Sequence, residues 1–252
     1  MIDALFAATG VPALAEPLVF GIIVLVVIIG AILQSAIGMG FGLTTAPILA
    51  LVDTALVPGP ILVLGVVTAS LAVVVDDGRV RWREVGICTA GRLGGSAVAV
   101  GLLMLITGRS SFNIVFGTTI VAAVLLSFAG WRVAFTVRNL VAMGSLSGLM
   151  GTITSVGAPP LAMIYQDHAA REARSTLSAF FAIGCVVSFA GAASAGWAGP
   201  RDFVTAALLL PAVFAGVALS RVVKRHVDRR FRTALLVISG TAGLTLVLKG
   251  LF

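Results

Sequence analysis

Charge is what this sequence has least of. Asp, Glu, Lys and Arg make up 11% of its 252 residues, against about 25% in a soluble domain. Hydrophobic residues make up 59%, and the mean hydropathy is +1.13. A water-soluble globule could not cover its surface with so few polar groups, so lipid must solvate much of this chain. Histidine is also scarce. His168 and His226 both fall in polar loops, and no Asp or Glu lies well inside an apolar run. A general base or a metal-ligand cluster at membrane depth is therefore missing, which argues against intramembrane catalysis and against metal uptake. No cofactor is expected.

The two cysteines, Cys88 and Cys185, sit in apolar runs without C-x-x-C spacing. They read as packing residues, not as a disulfide or metal pair. From Met1 to Glu16 there is no Lys or Arg, so a cleaved signal peptide is not expected. No long polar linker divides the chain, which reads as one transmembrane unit, 1–252. The net charge of +7 would suit nucleic acid, but the basic residues lie in short loops between apolar runs, where they report membrane orientation.

A spanning helix needs about 20 apolar residues. Runs that meet or approach this are Leu18–Ala36, Ile61–Val75, Val85–Thr107, Phe112–Phe128, Thr176–Ala193, Phe203–Ser220 and Ala234–Leu248. Two more stretches, Gly38–Leu51 and Leu140–Tyr165, are apolar but broken by glycine, proline and hydroxyl residues. The expected class is an all-α integral membrane protein with about eight transmembrane segments, or eight to ten counting broken half-helices. Trp82, Trp131, Trp197 and Tyr165 fall near span ends, where aromatic residues sit at the membrane interface.

The halves resemble one another. Ala46-Pro47-Ile48-Leu49-Ala50 recurs as Ala158-Pro159-Pro160-Leu161-Ala162, and Ser35 falls on Ser147 at the same offset of 112. Gly65 and Gly184, Val67 and Val186, and Phe112 and Phe231 match at an offset of 119. Repeats of about 18–131 and 138–251 follow. Placing loop 76–84 inside puts thirteen of the seventeen basic residues on that side. Arg109, Arg201 and Lys249 then lie outside, and Arg92 lies within a span. This scheme bases the first broken stretch outside and the second inside, so the repeats would be inverted. A parallel duplication with four spans per half is the alternative.

Broken helices survive in hydrocarbon only where protein or a water-filled cavity receives the freed backbone. Gly38, Gly40, Gly42, Thr44, Thr45 and Pro47 mark one such break. Gly151, Thr152, Thr154, Ser155, Gly157 and Pro159 mark the other. Glycine lets the backbone turn or approach a ligand, hydroxyls add donors, and each proline is placed to open a new helix in its first turn. The start of such a helix carries partial positive charge and unpaired N–H groups. Two of them meeting near the midplane would hold a small anion. Arg92 could add a full charge to the path, or it could snorkel to the nearby loop. Small residues also serve helix packing, and Gly144-x-x-x-Gly148 and Gly91-x-x-Gly94-Gly95 have that alternative reading.

Two half-chain repeats, each opening on a glycine-rich broken segment closed by proline, resemble the sulfite exporter TauE/SafE family of membrane permeases. The motifs are Ser35-Ala36-Ile37-Gly38-Met39-Gly40-Phe41-Gly42 with Ala46-Pro47, and Ser147-Gly148-Leu149-Met150-Gly151 with Ala158-Pro159. The family often has consecutive glycines before the proline; here they are spread out or replaced by Thr152-Ile153-Thr154-Ser155-Val156-Gly157. The resemblance implies a secondary transporter of sulfite, sulfonates or related sulfur-containing anions in a bacterial cytoplasmic membrane, often outward and coupled to a proton or ion gradient. An anion channel, or a carrier of a different small organic anion, is the other reading. The expected partners are the anionic substrate, the lipid bilayer, a coupling proton or ion, and a second copy in a homo-oligomer.

Overall fold

The computed structural model describes residues 9–76, 78–223 and 229–252. Among these there are ten α-helices and no strand. The first five are α1 (Pro17–Ile37), α2 (Phe41–Val52), α3 (Gly59–Val75), α4 (Trp82–Met104) and α5 (Arg109–Ala129). The second five are α6 (Val137–Thr154), α7 (Ala158–Tyr165), α8 (Ala170–Ser194), α9 (Pro200–Val223) and α10 (Arg229–Leu251). Each five runs long, short, long, long, long. Seven helical stretches are long and apolar enough to cross a membrane, and α2 is a shorter apolar helix. The chain is a multi-span membrane protein, as its composition requires.

The closest packing is between α4 and α6. A Cβ on Gly91 or Gly95 would run into the backbone of Val141 or Ser145, and one on Gly144 or Gly148 into that of Cys88 or Arg92. With no water to expel between helices, close backbone approach through small residues is what holds membrane helices together. Gly94, by contrast, faces open space. Cys88 is buried in this seam, as a packing residue should be.

The charged loops gather at one end. There Arg174 makes a two-point pair with Asp76 at 2.7 and 2.9 Å, and Arg132 meets Asp167 at 3.1 Å. Arg81 joins Glu84 to Glu172. At the other end Trp197 stacks on Phe112 at 4.4 Å, its indole N–H donates to the Leu103 carbonyl, and Gly59 packs against the carboxylate of Asp202. Lys224, Arg225 and His226 of the basic cluster lie outside the described residues.

Both broken stretches are broken, but over fewer residues than their composition suggests. The first break is confined to residues 38–40 and the second to 155–157. Gly42, Thr44, Thr45 and Pro47 belong to α2, and Gly151, Thr152 and Thr154 to α6. Three of the hydroxyls bond back within their own helix or its cap. Thr44 Oγ1 donates to Gly40 O, Thr45 to Phe41 O and Thr154 to Met150 O, each four residues back. Such back-bonding satisfies a hydroxyl in apolar surroundings without breaking the helix. Pro159 sits in the first turn of α7 as expected, whereas Pro47 is interior to α2, because the helix begins earlier, at Phe41. Tyr165 is not an interface residue: it is buried, and its hydroxyl donates to Glu84 Oε2 at 2.7 Å.

The seam sets a first test. Gly144→Val should lower stability by about 1–3 kcal/mol through overpacking, while Gly94→Val should change it little. Thermal unfolding of the two variants in detergent compares them directly.

Candidate functional site

The site is built around Arg92. Ten residues separate it from Trp82 at the start of α4, about 15 Å of helix rise, or half the roughly 30 Å hydrocarbon core. Its side chain is 1% exposed, so it does not snorkel. Nε donates to Gly184 O at 3.0 Å, Nη1 to Ser147 Oγ at 3.1 Å and Nη2 to Ser188 Oγ at 2.9 Å, and the ring of Phe180 lies 5.2 Å from the guanidinium carbon. Those three bonds use three of the five N–H donors of a guanidinium. Among the described residues no carboxylate pairs with it. A full positive charge thus stands midway along a candidate span, hydrogen-bonded but with no carboxylate partner among the described residues.

Missing side chains make room for it. A Cβ on Gly151 would lie 2.7 Å from Nη2, one on Gly184 2.6 Å from Nε, and one on Gly157 3.2 Å from Nη1. Gly148 lets the Arg92 backbone approach α6. Four glycines from two helices and a break form the sleeve of one arginine.

The two breaks meet beside it. In the first, Gly38 and Gly40 take φ of 83° and 116°, conformations that L side chains resist. Gln34 bridges the gap, donating to Gly38 O at 3.0 Å and accepting from Phe41 N at 3.4 Å. In the second, Ser155 turns at φ 63° and its Oγ donates to Pro58 O. Thr154 Oγ1 accepts from Val156 N, and Ser147 Oγ donates to Gly157 O at 2.6 Å. The Gly42 backbone packs directly on the Ser155 carbonyl, where any side chain would overlap. The N-terminal ends of α2 and α7 therefore start next to each other. From there α7 runs to the charged end, where Tyr165 meets Glu84. The chain of α2 leads instead to Gly59 and Asp202 at the other.

A cavity of about 30 Å³ lies between these ends, bounded by Gly40, Gly42, Arg92, Ser155, Gly157 and Cys185. That is room for about two waters. Gly40, Leu43 and Ala158 also wall a second space of about 50 Å³, reached by Thr44 and Pro159. Ile37, Met39 and Pro159 in turn wall both this space and a vestibule of about 520 Å³ at the charged end, lined by His168 and Arg174. Beyond the cavity Leu56, Ile153 and Val156 are all buried. The three spaces adjoin one another in a row toward the charged end.

Of the residues expected at the site, Gly40, Gly42, Arg92, Ser155 and Gly157 come together at the innermost space, and Thr44 and Pro159 stand on the approach. Gly151 backs the arginine. Gly38 packs on the Arg174 backbone, Thr45 and Pro47 are buried within α2, and Thr154 is buried in α6. Thr152 joins Ser96 and Ser188 in a hydroxyl cluster, 2.9 Å from each. Residues at the site that the sequence did not place there are Gln34, Ser147, Gly184, Cys185 and Ser188. Ser147 and Gly184 did carry a signal, as the repeat matches of Ser35 and Gly65.

A family model described as sulfite exporter TauE/SafE matches residues 22–246. The chain belongs to that family. No curated protein and no solved structure is detectably similar to it. The TauE/SafE match covers both breaks and Arg92, so the whole arrangement lies within the family's domain, that of a membrane transporter.

The arginine's partners give the next test. Ser147→Ala strands both an Arg92 N–H and the Gly157 carbonyl, and should cost about 1–3 kcal/mol in unfolding free energy. Ser194→Ala, on an exposed hydroxyl, should cost little in the same assay.

Proposed function

We propose that this TauE/SafE protein is a secondary transporter that carries a small oxyanion of sulfur, sulfite or a sulfonate, by alternating access. The observation that carries the reading is the mid-membrane charge of Arg92 without a carboxylate, facing a cavity on which two helix N-termini converge. An isolated buried charge is costly, and an anion bound there relieves that cost. Backbone N–H groups in the first turn of α2 and that of Ala158 in α7, whose next two residues are prolines without an N–H, would add hydrogen bonds to its oxygens, as backbone replaces lost hydration. The sulfur class comes from the family. Gly40, Gly42, Arg92, Ser155 and Gly157 form the binding shell; Thr44 and Pro159 line the approach.

The charged end, rich in arginine, is the cytoplasmic face by the positive-inside rule, in a bacterial inner membrane. In this reading the protein faces inward, with the vestibule on the cytoplasmic side. The two five-helix halves, with short helices running to opposite ends, are inverted repeats whose relative movement would close the vestibule and open the side beyond the cavity. The burial of Leu56, Ile153 and Val156 beyond the cavity favours a carrier over a channel.

Purified protein in liposomes tests this with labelled sulfite, sulfate and a small sulfonate, with and without a pH gradient. Uptake of one sulfur anion should saturate and be competed. Arg92→Gln should lower it at least tenfold, since hydrogen bonds from a charged group are worth about 1.5–3 kcal/mol. Equal kinetics in the variant would remove Arg92 from the site, and no saturable uptake of any of the three by folded wild-type protein would count against the substrate class.

A further inference from the structure

On the face of α8 that meets the site, residues fall into two adjacent stripes at helical spacing. Phe180, Gly184 and Ser188 touch the Arg92 guanidinium. Phe181 and Cys185, one residue further round, line the central cavity. Cys185 is only partly buried, although α8 is packed by α3 and α4 here. Gly65 on α3 leaves the space into which its sulfur fits: a Cβ at position 65 would lie 3.0 Å from Sγ. Cys88 differs, being 1% exposed in the α4–α6 seam.

From this placement, and resting on the anion-carrier reading above, we infer that Cys185 is a substrate-contacting residue that sets how large an anion the site accepts. The second pillar is Arg92, fully buried, which lines the same cavity and keeps two N–H donors without a partner among the described residues. An anion drawn to those donors fills a space of about 30 Å³ whose α8 wall is the Cys185 thiol together with Phe181. Sulfur is large, polarizable and only a weak donor. It therefore closes that wall by bulk, leaving the oxyanion's hydrogen bonds to Arg92 and the helix ends. Substituents on the anion's central atom would meet Sγ.

The test compares uptake of sulfite with that of a two-carbon sulfonate in liposomes, for wild type, Cys185→Ala, Cys185→Leu and Cys88→Ala. Removing the sulfur should move the ratio of KM values about tenfold toward the larger anion, the scale of one methylene in a fitted pocket. Cys185→Leu should abolish uptake of both at an unchanged thermal unfolding midpoint, and Cys88→Ala should leave the ratio alone. Transport by the wild type with an unaltered KM ratio in Cys185→Ala overturns the assignment while the carrier reading stands. That ratio decides the matter even if the leucine variant does not fold. Wild-type protein that takes up neither anion would defeat the carrier reading, and this assignment with it.

Discussion

A guanidinium held at the middle of a membrane without a carboxylate is the constraint around which the rest is arranged. Its charge cannot be left in hydrocarbon, and here it is not neutralised by a second side chain among those described. It is instead wrapped by a carbonyl, two hydroxyls and an aromatic face from α6 and α8. Those groups spread the charge without cancelling it. The sleeve of glycines follows from the same need, because a guanidinium can reach mid-membrane between packed helices only where side chains are absent. Two of the four sleeve glycines, Gly148 and Gly151, belong to α6, so packing and site share one seam.

The breaks answer the second half of the problem. Each leaves backbone polar groups that lipid cannot satisfy, and each is stitched by a nearby polar side chain: Gln34 across the first, Ser147 and Thr154 across the second. What the stitching leaves are helix starts aimed at one cavity, and positive ends of dipoles belong beside an anion. Hydroxyls that looked like ligands turn out largely to be stitches or back-bonds. The full charge and the backbone remain as the groups able to receive a substrate.

Much of this was legible from residues alone, for reasons that can be named. Long apolar runs mark spans because bilayer thickness sets their length, and the glycine, proline and hydroxyl clusters at 38–47 and 148–160 mark breaks because glycine turns and proline helix starts fall together there. Arg92 stood out because charge at that depth is costly. What could not be read was which of a cluster's residues still belong to a helix: Thr44, Thr45 and Pro47 look like loop residues, but their hydroxyls and neighbouring carbonyls satisfy each other inside α2. Nor could one-dimensional spacing show that Ser188 and Cys185, about ninety residues from Arg92 in sequence, share its surroundings. Cys185 read as core because an apolar run conceals which face of a buried helix meets a cavity.

The most direct measurement is the thermal unfolding midpoint of the purified protein against sulfite concentration, for wild type and Arg92→Gln. A ligand that binds only the folded state adds about 2.7 kcal/mol at a hundred times its Kd. The account predicts a midpoint that climbs with sulfite in the wild type, stays flat with an uncharged sulfone of similar size, and barely moves with sulfite in Arg92→Gln. An equal rise with sulfite in both proteins would contradict it, because the anion would then be held by something other than the buried charge.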